Sequence, residues 1–385
     1  MLTLTLSSMA HGGSALGRHD GRPVFVPFGI PGETVRVRIV QDKGSYLRAE
    51  LVEVLELSPE RVAPRCKHFM RCGGCQWQHM TYAAQLAYKQ RVVAEQFARI
   101  GGLPDANVLP VFAAPDPWDY RTHVTLRLNE DGRPGFIATD SQTVMPIEEC
   151  HIIRPEIRAA LDTPLPRGRQ VRVQAGSSGA AVAFVMKALP DDDAGGSSDS
   201  QRAFEYVING RTLRCTAGGF FQVNLPQAAR LVDLVLERLA LSGTERVLDL
   251  YSGVGLFTVF LAAAAREVLA VEIFAPAVRD AEYNLSAFDN VALYVGKIEA
   301  VLPALPGPFD AAVVDPPRTG MDNAALKALV DAAPGRIVYV SCDPATLARD
   351  AKKLVAAGYA LASVQPIDMF PQTFHIESVA LFERS

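Results

Sequence analysis

In Val338-Tyr339-Val340-Ser341-Cys342-Asp343-Pro344 an apolar run ends at a cysteine just before a proline, so a thiol stands where a strand gives way to a helix. The free N–H groups of a first helical turn favour a thiolate, the form that attacks electrophilic carbon. A lone cysteine is more often a small buried apolar residue, but two neighbouring motifs argue for chemistry. Val313-Val314-Asp315-Pro316-Pro317-Arg318 ends an earlier apolar run with two prolines. Each proline fixes its own φ and pushes the residue before it toward extended backbone, which holds Asp315 in a rigid loop able to grip a planar polar group. Phe370-Pro371-Gln372-Thr373-Phe374-His375-Ile376-Glu377 leads into a last apolar run, where Glu377 is placed to face the same cleft from the other side.

A cofactor site is written in Val247-Leu248-Asp249-Leu250-Tyr251-Ser252-Gly253-Val254-Gly255, a strand feeding a glycine-rich turn that opens a helix. Glycines let backbone approach a ligand closely at the carboxyl edge of a parallel sheet. About twenty residues later Glu272 ends the next strand, where a carboxylate accepts hydrogen bonds from ribose hydroxyls. Dinucleotide-binding turns share this layout, but Thr258 replaces the third glycine of their fingerprint. That counts against a nicotinamide-dependent redox enzyme. Asp249 beside the turn suits a cationic ligand such as S-adenosylmethionine better than a pyrophosphate.

A thiol, a carboxylate and a methyl sulfonium suit one reaction. Carbon 5 of uracil is too weak a nucleophile to take a methyl group directly. Thiolate addition at carbon 6 makes an enolate whose carbon 5 attacks the methyl; a base then removes the carbon 5 proton and the cysteine leaves. Cys342 is the expected nucleophile and Glu377 the expected base, with the uridine flipped out of its stack to reach them.

The elements that must carry these groups are legible as alternating patterns. From about residue 216 strands are expected at 246–250, 267–272, 291–295, 311–315, 336–341, 360–365 and 377–383, with helices at 276–288, 323–333 and 344–356. Strands alternating with helices predict a mostly parallel seven-stranded sheet covered on both faces. Residues 1–57 read instead as a small β domain with strands at 24–27, 34–40 and 46–57, a length that fits a five-stranded oligonucleotide-binding barrel. Between them lie a helix at 81–100, then strands at 120–128, 135–139, 171–175 and 180–188, with a hairpin turn at 129–132 and a flexible acidic loop at 190–199.

With 385 residues the chain is long enough for two or three domains, and 49% hydrophobic with 21% charged residues is ordinary for a globular protein. No membrane span or signal peptide is expected, which makes the cytoplasm the default. A net charge of −4 excludes a uniformly basic nucleic-acid coat. Residues 61–99 are locally basic: Arg61, Arg65, Lys67, Arg71, Lys89, Arg91 and Arg99 stand against Glu95 alone, as either an RNA-facing patch or a solvated helix face. The cysteine count, 6, does not suggest a disulfide framework; the crowding of Cys66, Cys72 and Cys75 implies a metal, zinc or iron–sulfur by spacing alone.

The set Gly218-Gly219-Phe220-Phe221-Gln222-Val223-Asn224, Asp249-Leu250-Tyr251-Ser252-Gly253, Asp315-Pro316-Pro317-Arg318, Ser341-Cys342-Asp343-Pro344 and His375-Ile376-Glu377-Ser378-Val379, in this order, resembles the bacterial RNA uracil-5-methyltransferases. The 23S ribosomal RNA branch, with a TRAM domain and an iron–sulfur cluster, resembles the chain over essentially its whole length. That resemblance implies an α/β fold: a Rossmann-like class I methyltransferase domain at 215–385, an N-terminal TRAM/OB-like RNA-binding barrel at 1–58, and a central α+β iron–sulfur domain at 59–214. It implies Cys342 as nucleophile, Glu377 as base, Gln222, Tyr251, Glu272 and Asp315 as S-adenosylmethionine contacts, and Cys66, Cys72, Cys75 and Cys150 as ligands of a structural 4Fe–4S cluster. Cys215 is left over as a structural residue. The expected partner is 23S ribosomal RNA and the expected state a monomer. A transfer RNA uridine-54 methyltransferase is the rival within the class, and a non-catalytic RNA-binding iron–sulfur sensor the rival outside it.

Overall fold

The structure is a computed structural model that describes residues 1–129, 133–139, 143–166, 168–187 and 202–384. The acidic stretch expected as a loop at 190–199 lies outside the described residues, as does most of the turn at 129–132.

Alternating side chains build the N-terminal barrel, with Val24, Val26, Val35, Val37, Leu47 and Ala49 turned inward and buried. Its sheet runs in the order β1 (Leu2–Thr5), β5 (Thr34–Asp42), β6 (Leu47–Glu56), β4 (Arg22–Val26), β3 (Ala15–His19), β2 (Ser8–Met9). β1 and β2 are successive halves of one stretch, yet β1 pairs with β5 and β2 with β3. The broken strand therefore bridges the two edges of the sheet and closes it. Glu33, fully buried, then ties the barrel to the next segment: its Oε1 accepts from Arg61 Nε at 2.5 Å and its Oε2 from Arg61 Nη2 at 2.8 Å. Such a bidentate pair fixes orientation as well as charge.

Next comes α1 (Tyr82–Gln96), N-capped by the Thr81 hydroxyl, which accepts from Ala84 N–H. Its end widens into a π-helical turn, Phe97–Gly101, so the helix expected at 81–100 is one α-helix plus this turn. β7 (His123–Leu128), β8 (Pro134–Ile137), β9 (Val144–Pro146), β10 (Gln170–Gln174) and β11 (Val182–Lys187) form an antiparallel sheet ordered β11-β10-β7-β8-β9, flanked by α2 (Pro155–Leu161). β12 (Ala203–Ile208) and β13 (Arg211–Thr216) make a separate hairpin, so the boundary expected at 214/215 falls inside it.

The C-terminal unit contains α3 (Leu225–Leu239), β14 (Arg246–Leu250), α4 (Thr258–Ala262), β15 (Glu267–Glu272), α5 (Ala275–Leu285), β16 (Val291–Val295), α6 (Ile298–Val301), β17 (Ala311–Val314), α7 (Asn323–Ala332), β18 (Arg336–Ser341), α8 (Pro344–Ala356), β19 (Tyr359–Ile367) and β20 (Glu377–Arg384). Its seven-stranded sheet is mixed, in the order β16-β15-β14-β17-β18-β20-β19: the first five strands pair in parallel and β20 is inserted antiparallel between β18 and β19. The β12–β13 hairpin packs on α3 and α5, on one face of this sheet. On the other face a single apolar core runs from barrel residues such as Leu4 and Val24, through Tyr88 and Val92 of α1, to Leu250 and Val364 of the sheet. α1 packs against α8 and β19, which buries Lys89 completely. The stretch 61–99 is thus not one basic face: Lys89 and Arg61 are both spent on internal carboxylates.

Candidate active site

The loop after β14 is shaped by left-handed residues. Tyr251 has φ 65° and Gly253 φ 57°, and the Tyr251 and Ser252 N–H groups both donate to Val271 O. A side chain at 253 would meet no protein atom and would project from the lining of the cleft, while the left-handed φ of this turn favours glycine. Asp249, buried just before the turn, accepts from Thr258 Oγ1 at 2.5 Å through Oδ2, while its Oδ1 has no protein partner. Thr258 thus has a purpose at the position where dinucleotide sites carry glycine. Glu272 accepts from Gly253 N–H at 2.9 Å and, through the other oxygen, from Ile273 and Phe274 N–H at 2.8 and 2.7 Å. This fixes its carboxylate at the end of β15 beside the exposed apolar side chains of Ile273 and Phe274. Pinned carboxylate, apolar flank and buried acids fit a ribose, a planar base and a cationic sulfur, so the chain's own residues suit S-adenosylmethionine.

Gln222 is delivered by the segment after β13. Gly219 lies so close to Cys215 that a Cβ would sit 2.9 Å from its Sγ, and Phe221 stacks on Tyr206 with centroids 4.1 Å apart. Phe220, between them, is 74% exposed at the mouth of the cleft. Gln222, Tyr251, Glu272, Asp315, Cys342 and Glu377 all line one cleft of about 900 Å³ along the carboxyl edge of the parallel strands. The six residues singled out from sequence are therefore brought together.

Cys342 and Glu377 lie just past the end of one strand ladder. β18 and β20 are antiparallel and their last pair is Ser341 with Ser378, so the chain leaves β18 at Cys342 beside the point where Glu377 opens β20, and both line the cleft. Ser341 shapes the turn, its Oγ accepting from Asp343 N–H at 3.2 Å and donating to Asp343 O at 3.0 Å. Asp343 caps α8, accepting from Ala345 and Thr346 N–H at 2.9 and 3.1 Å.

The expected activation of Cys342 by a helix N-terminus is not what the site provides. Asp343 consumes the free N–H groups, and burial, with Glu377 and Asp315 adding negative charge, pushes the thiol up to about 12; Arg318 alone opposes this among the main influences. Burial also raises the carboxyls: Asp249 and Asp315 to about 7, and Glu377 well above its ordinary value, with Asp315 adding to the rise. The site is a cluster of buried acids whose neutral, protonated forms burial favours. Arg318 (Nε 3.7 Å from Asp343 Oδ2) and His11 of the barrel (Nε2 3.6 Å from the same oxygen) stand at its rim. Sequence reading gave neither a role; Arg318 was signalled by its place in the Asp-Pro-Pro motif, His11 by nothing local.

Cys66, Cys72, Cys75 and Cys150 line a second, smaller cavity of about 70 Å³, and all four are free. Gly73 hydrogen-bonds Ile137 O at 3.0 Å and Cys72 bridges to Ala138, docking the cysteine loop on the end of β8. Burial raises each thiol, Cys75 to about 12 and Cys150 to about 11, and neighbouring thiols contribute to the rise at Cys72, Cys75 and Cys150. Among the described residues no three His, Cys, Asp or Glu side chains are spaced to hold a metal ion as they stand. Cys215 is buried elsewhere, against Thr216 O and Phe220 O. No helix among the described residues is long and apolar enough to cross a membrane.

Comparison with known proteins agrees with this geometry. Residues 204–300 and 308–385 match the tRNA (Uracil-5-)-methyltransferase family, and residues 2–52 match the TRAM domain. An uncharacterized RNA methyltransferase of Gloeobacter violaceus is 33% identical over 450 residues, covering 100% of this chain and 96% of the relative. The 23S rRNA (uracil(1939)-C(5))-methyltransferase RlmD of Shewanella frigidimarina is 33% identical over 436 residues, 99% of this chain and 95% of that one. In fold, the Pyrococcus abyssi tRNA (uracil-54, C5)-methyltransferase, solved with S-adenosyl-L-homocysteine, superimposes with a TM-score of 0.77 at 26% identity, covering 99% of this chain and 100% of that one. A methyltransferase fold, a cofactor cleft fitted to S-adenosylmethionine and an N-terminal TRAM domain on one chain make this protein a member of the RNA uracil-5-methyltransferase family.

Proposed function

We propose that this protein methylates carbon 5 of a uridine in 23S ribosomal RNA through a covalent bond between Cys342 and carbon 6. The observation that carries the reading is that Cys342 and Glu377, next to the last Ser341–Ser378 pair of β18 and β20, line the same cleft as the cofactor turn. S-adenosylmethionine supplies the electrophilic methyl group. Gln222, Tyr251, Glu272 and Asp315 hold it, Glu272 on the ribose and Asp315 toward the target base. Cys342 would give up its proton to water in the open cleft as its sulfur bonds to carbon 6, with Arg318 and the positive charge of the bound cofactor offsetting the negative charge that keeps the free thiol protonated. Glu377 would shed its own proton to water while the cofactor is still cationic, then take the carbon 5 proton after methyl transfer as the Cys342–carbon 6 bond breaks.

Cys66, Cys72, Cys75 and Cys150 are proposed to hold a 4Fe–4S cluster, which would cross-link the segment after the barrel to the central sheet. Four free thiols around one enclosed cavity support this. The chain is read as three parts in a cytoplasmic monomer: the barrel at 1–58, a central part, and a methyltransferase part that takes in the β12–β13 hairpin, so that the expected 214/215 division moves ahead of Ala203. Ribosomal RNA is favoured by the Shewanella relatives at 33% and 32% identity. A second reading, transfer RNA uridine-54, is favoured by the fold match to the Pyrococcus enzyme.

The test incubates total RNA from a strain lacking the protein with purified enzyme and methyl-labelled cofactor, and maps the label. Label on carbon 5 of a 23S uridine, lost in Cys342→Ala, is the expected result. Label on transfer RNA alone would replace the substrate, and label retained in Cys342→Ala would overturn the covalent route.

A further inference from the structure

The loop that delivers Glu377, residues 368–376, is held largely from outside its own sheet. Lys89 Nζ donates to Asp368 Oδ1 at 2.5 Å and to Phe370 O at 3.1 Å, and Tyr120 OH donates to Pro371 O at 3.0 Å. The N–H groups of Gln76 and Trp77, directly after Cys75, both donate to Gln372 O at 3.0 Å. Gln372 is buried in the left-handed region, φ 68°, where a residue other than glycine stays only if its surroundings hold it. Gln85 does the holding. Its Oε1 accepts from Gln372 N–H at 3.0 Å, and its Nε2 donates to Gln372 Oε1 at 3.0 Å and lies 3.1 and 3.2 Å from Trp77 O and Met80 O. Gln85 stands one helical turn before Lys89 on the same face of α1.

We propose that Gln85 is a positioning residue for the base, fixing through Gln372 where Glu377 meets the carbon 5 proton; this rests on the reading of Glu377 given above. Cys342 is placed independently, by the Ser341–Asp343 turn and the cap of α8. Loosening Gln85 therefore spares adduct formation and methyl transfer and slows proton removal, because a displacement of about 1 Å costs on the order of a hundredfold in rate. The intermediate that builds up is the methylated RNA still bonded to Cys342.

The experiment follows protein-linked label on denaturing gels, alongside released methylated RNA, using the full chain and total RNA from a strain lacking the protein. Gln85→Leu, which removes the hydrogen bonds that Gln85 itself makes, is expected to accumulate methylated adduct while turnover falls about a hundredfold. Gln372→Gly, which loses only the side-chain bond and keeps the backbone bond to Gln85, accumulates less adduct than Gln85→Leu. Gln85→Leu with full turnover, or with turnover and adduct formation lowered together, overturns the proposal. If Gln85→Leu does not fold, Gln85→Asn, which keeps the amide but shortens its reach, carries the same two readouts. Glu377→Gln is the reference: if it turns over without accumulating adduct, the reading of Glu377 falls, whatever Gln85→Leu does.

Discussion

Replacing Lys89 by methionine removes the cation from an ion pair whose two side chains are both 0% exposed. Asp368 would lose the donor at Oδ1, and its Oδ2 already lacks a partner. Stranding one half of a buried pair costs about 3–5 kcal/mol, against roughly 0.3–0.5 kcal/mol for an exposed helical pair, the class to which Lys327–Asp331 at 74% and 60% exposure belongs. At about 1.4 kcal/mol per factor of ten, Lys89→Met lowers the folded-to-unfolded ratio by two to more than three powers of ten. Denaturant unfolding measures the loss, and hydrogen exchange at the Gln372 amide reports whether the 368–376 loop opens with it. Lys89→Met/Asp368→Leu is expected to regain most of the loss, since an apolar pair of similar volume leaves no charge behind. A single variant that loses less than about 1 kcal/mol, or a double variant no more stable than Lys89→Met, would refute the argument.

Other consequences can be measured directly. Asp249 and Asp315, raised to about 7 by burial, ionise as pH climbs from 6 to 8, so affinity for cationic S-adenosylmethionine should rise over that interval relative to neutral-sulfur S-adenosylhomocysteine; calorimetry finding parallel pH profiles would contradict this. Because both folded values lie above the unfolded one, these two groups favour the folded state fully only below about pH 4, and that contribution is lost as pH rises through about 7. Thr258→Val strips the buried Asp249 of the hydroxyl that donates to it and should cost about 1–3 kcal/mol in denaturant unfolding. Anaerobically purified protein should carry iron and sulfide in equal amounts, lost in Cys75→Ser; zinc in their place would replace the cluster with a single-ion site.

Much of the chemistry was legible because it is local. Asp-Pro-Pro, Ser-Cys-Asp-Pro and the glycine turn each end an apolar strand, and alternation alone put those ends on one edge of a sheet. What escaped is whatever depends on two distant segments meeting. The meeting of Cys342 and Glu377 needs β20 to enter the sheet antiparallel, and a strand of alternating residues reads alike in either direction. Lys89 stood in a basic stretch readable as an RNA-facing patch or a solvated helix face, and Gln85 carried no signal, because the carboxylate and the glutamine that receive them lie at 368 and 372. Two barrel strands, β1 and β2, are too short to show a period. The thiolate expectation for Cys342 failed although Glu377 and Asp315 were placed at the same cleft from sequence: what the sequence did not show is the burial that, more than either carboxylate, outweighs a helix end.

The inserted strand also sets the order in which the protein can come into being. β20 is synthesised after every other described strand, yet its place is between β18 and β19, which cannot be neighbours until it arrives. Gly13, whose O accepts from Trp77 Nε1 at 3.0 Å, is made long before Phe374, which packs against it. Contacts this far apart in sequence form late and slowly, as loop closure must precede them. A nascent chain can thus carry a finished barrel and a formed cofactor turn and still lack Glu377 beside Cys342, so the cleft is completed only when residues 377–384 have been added.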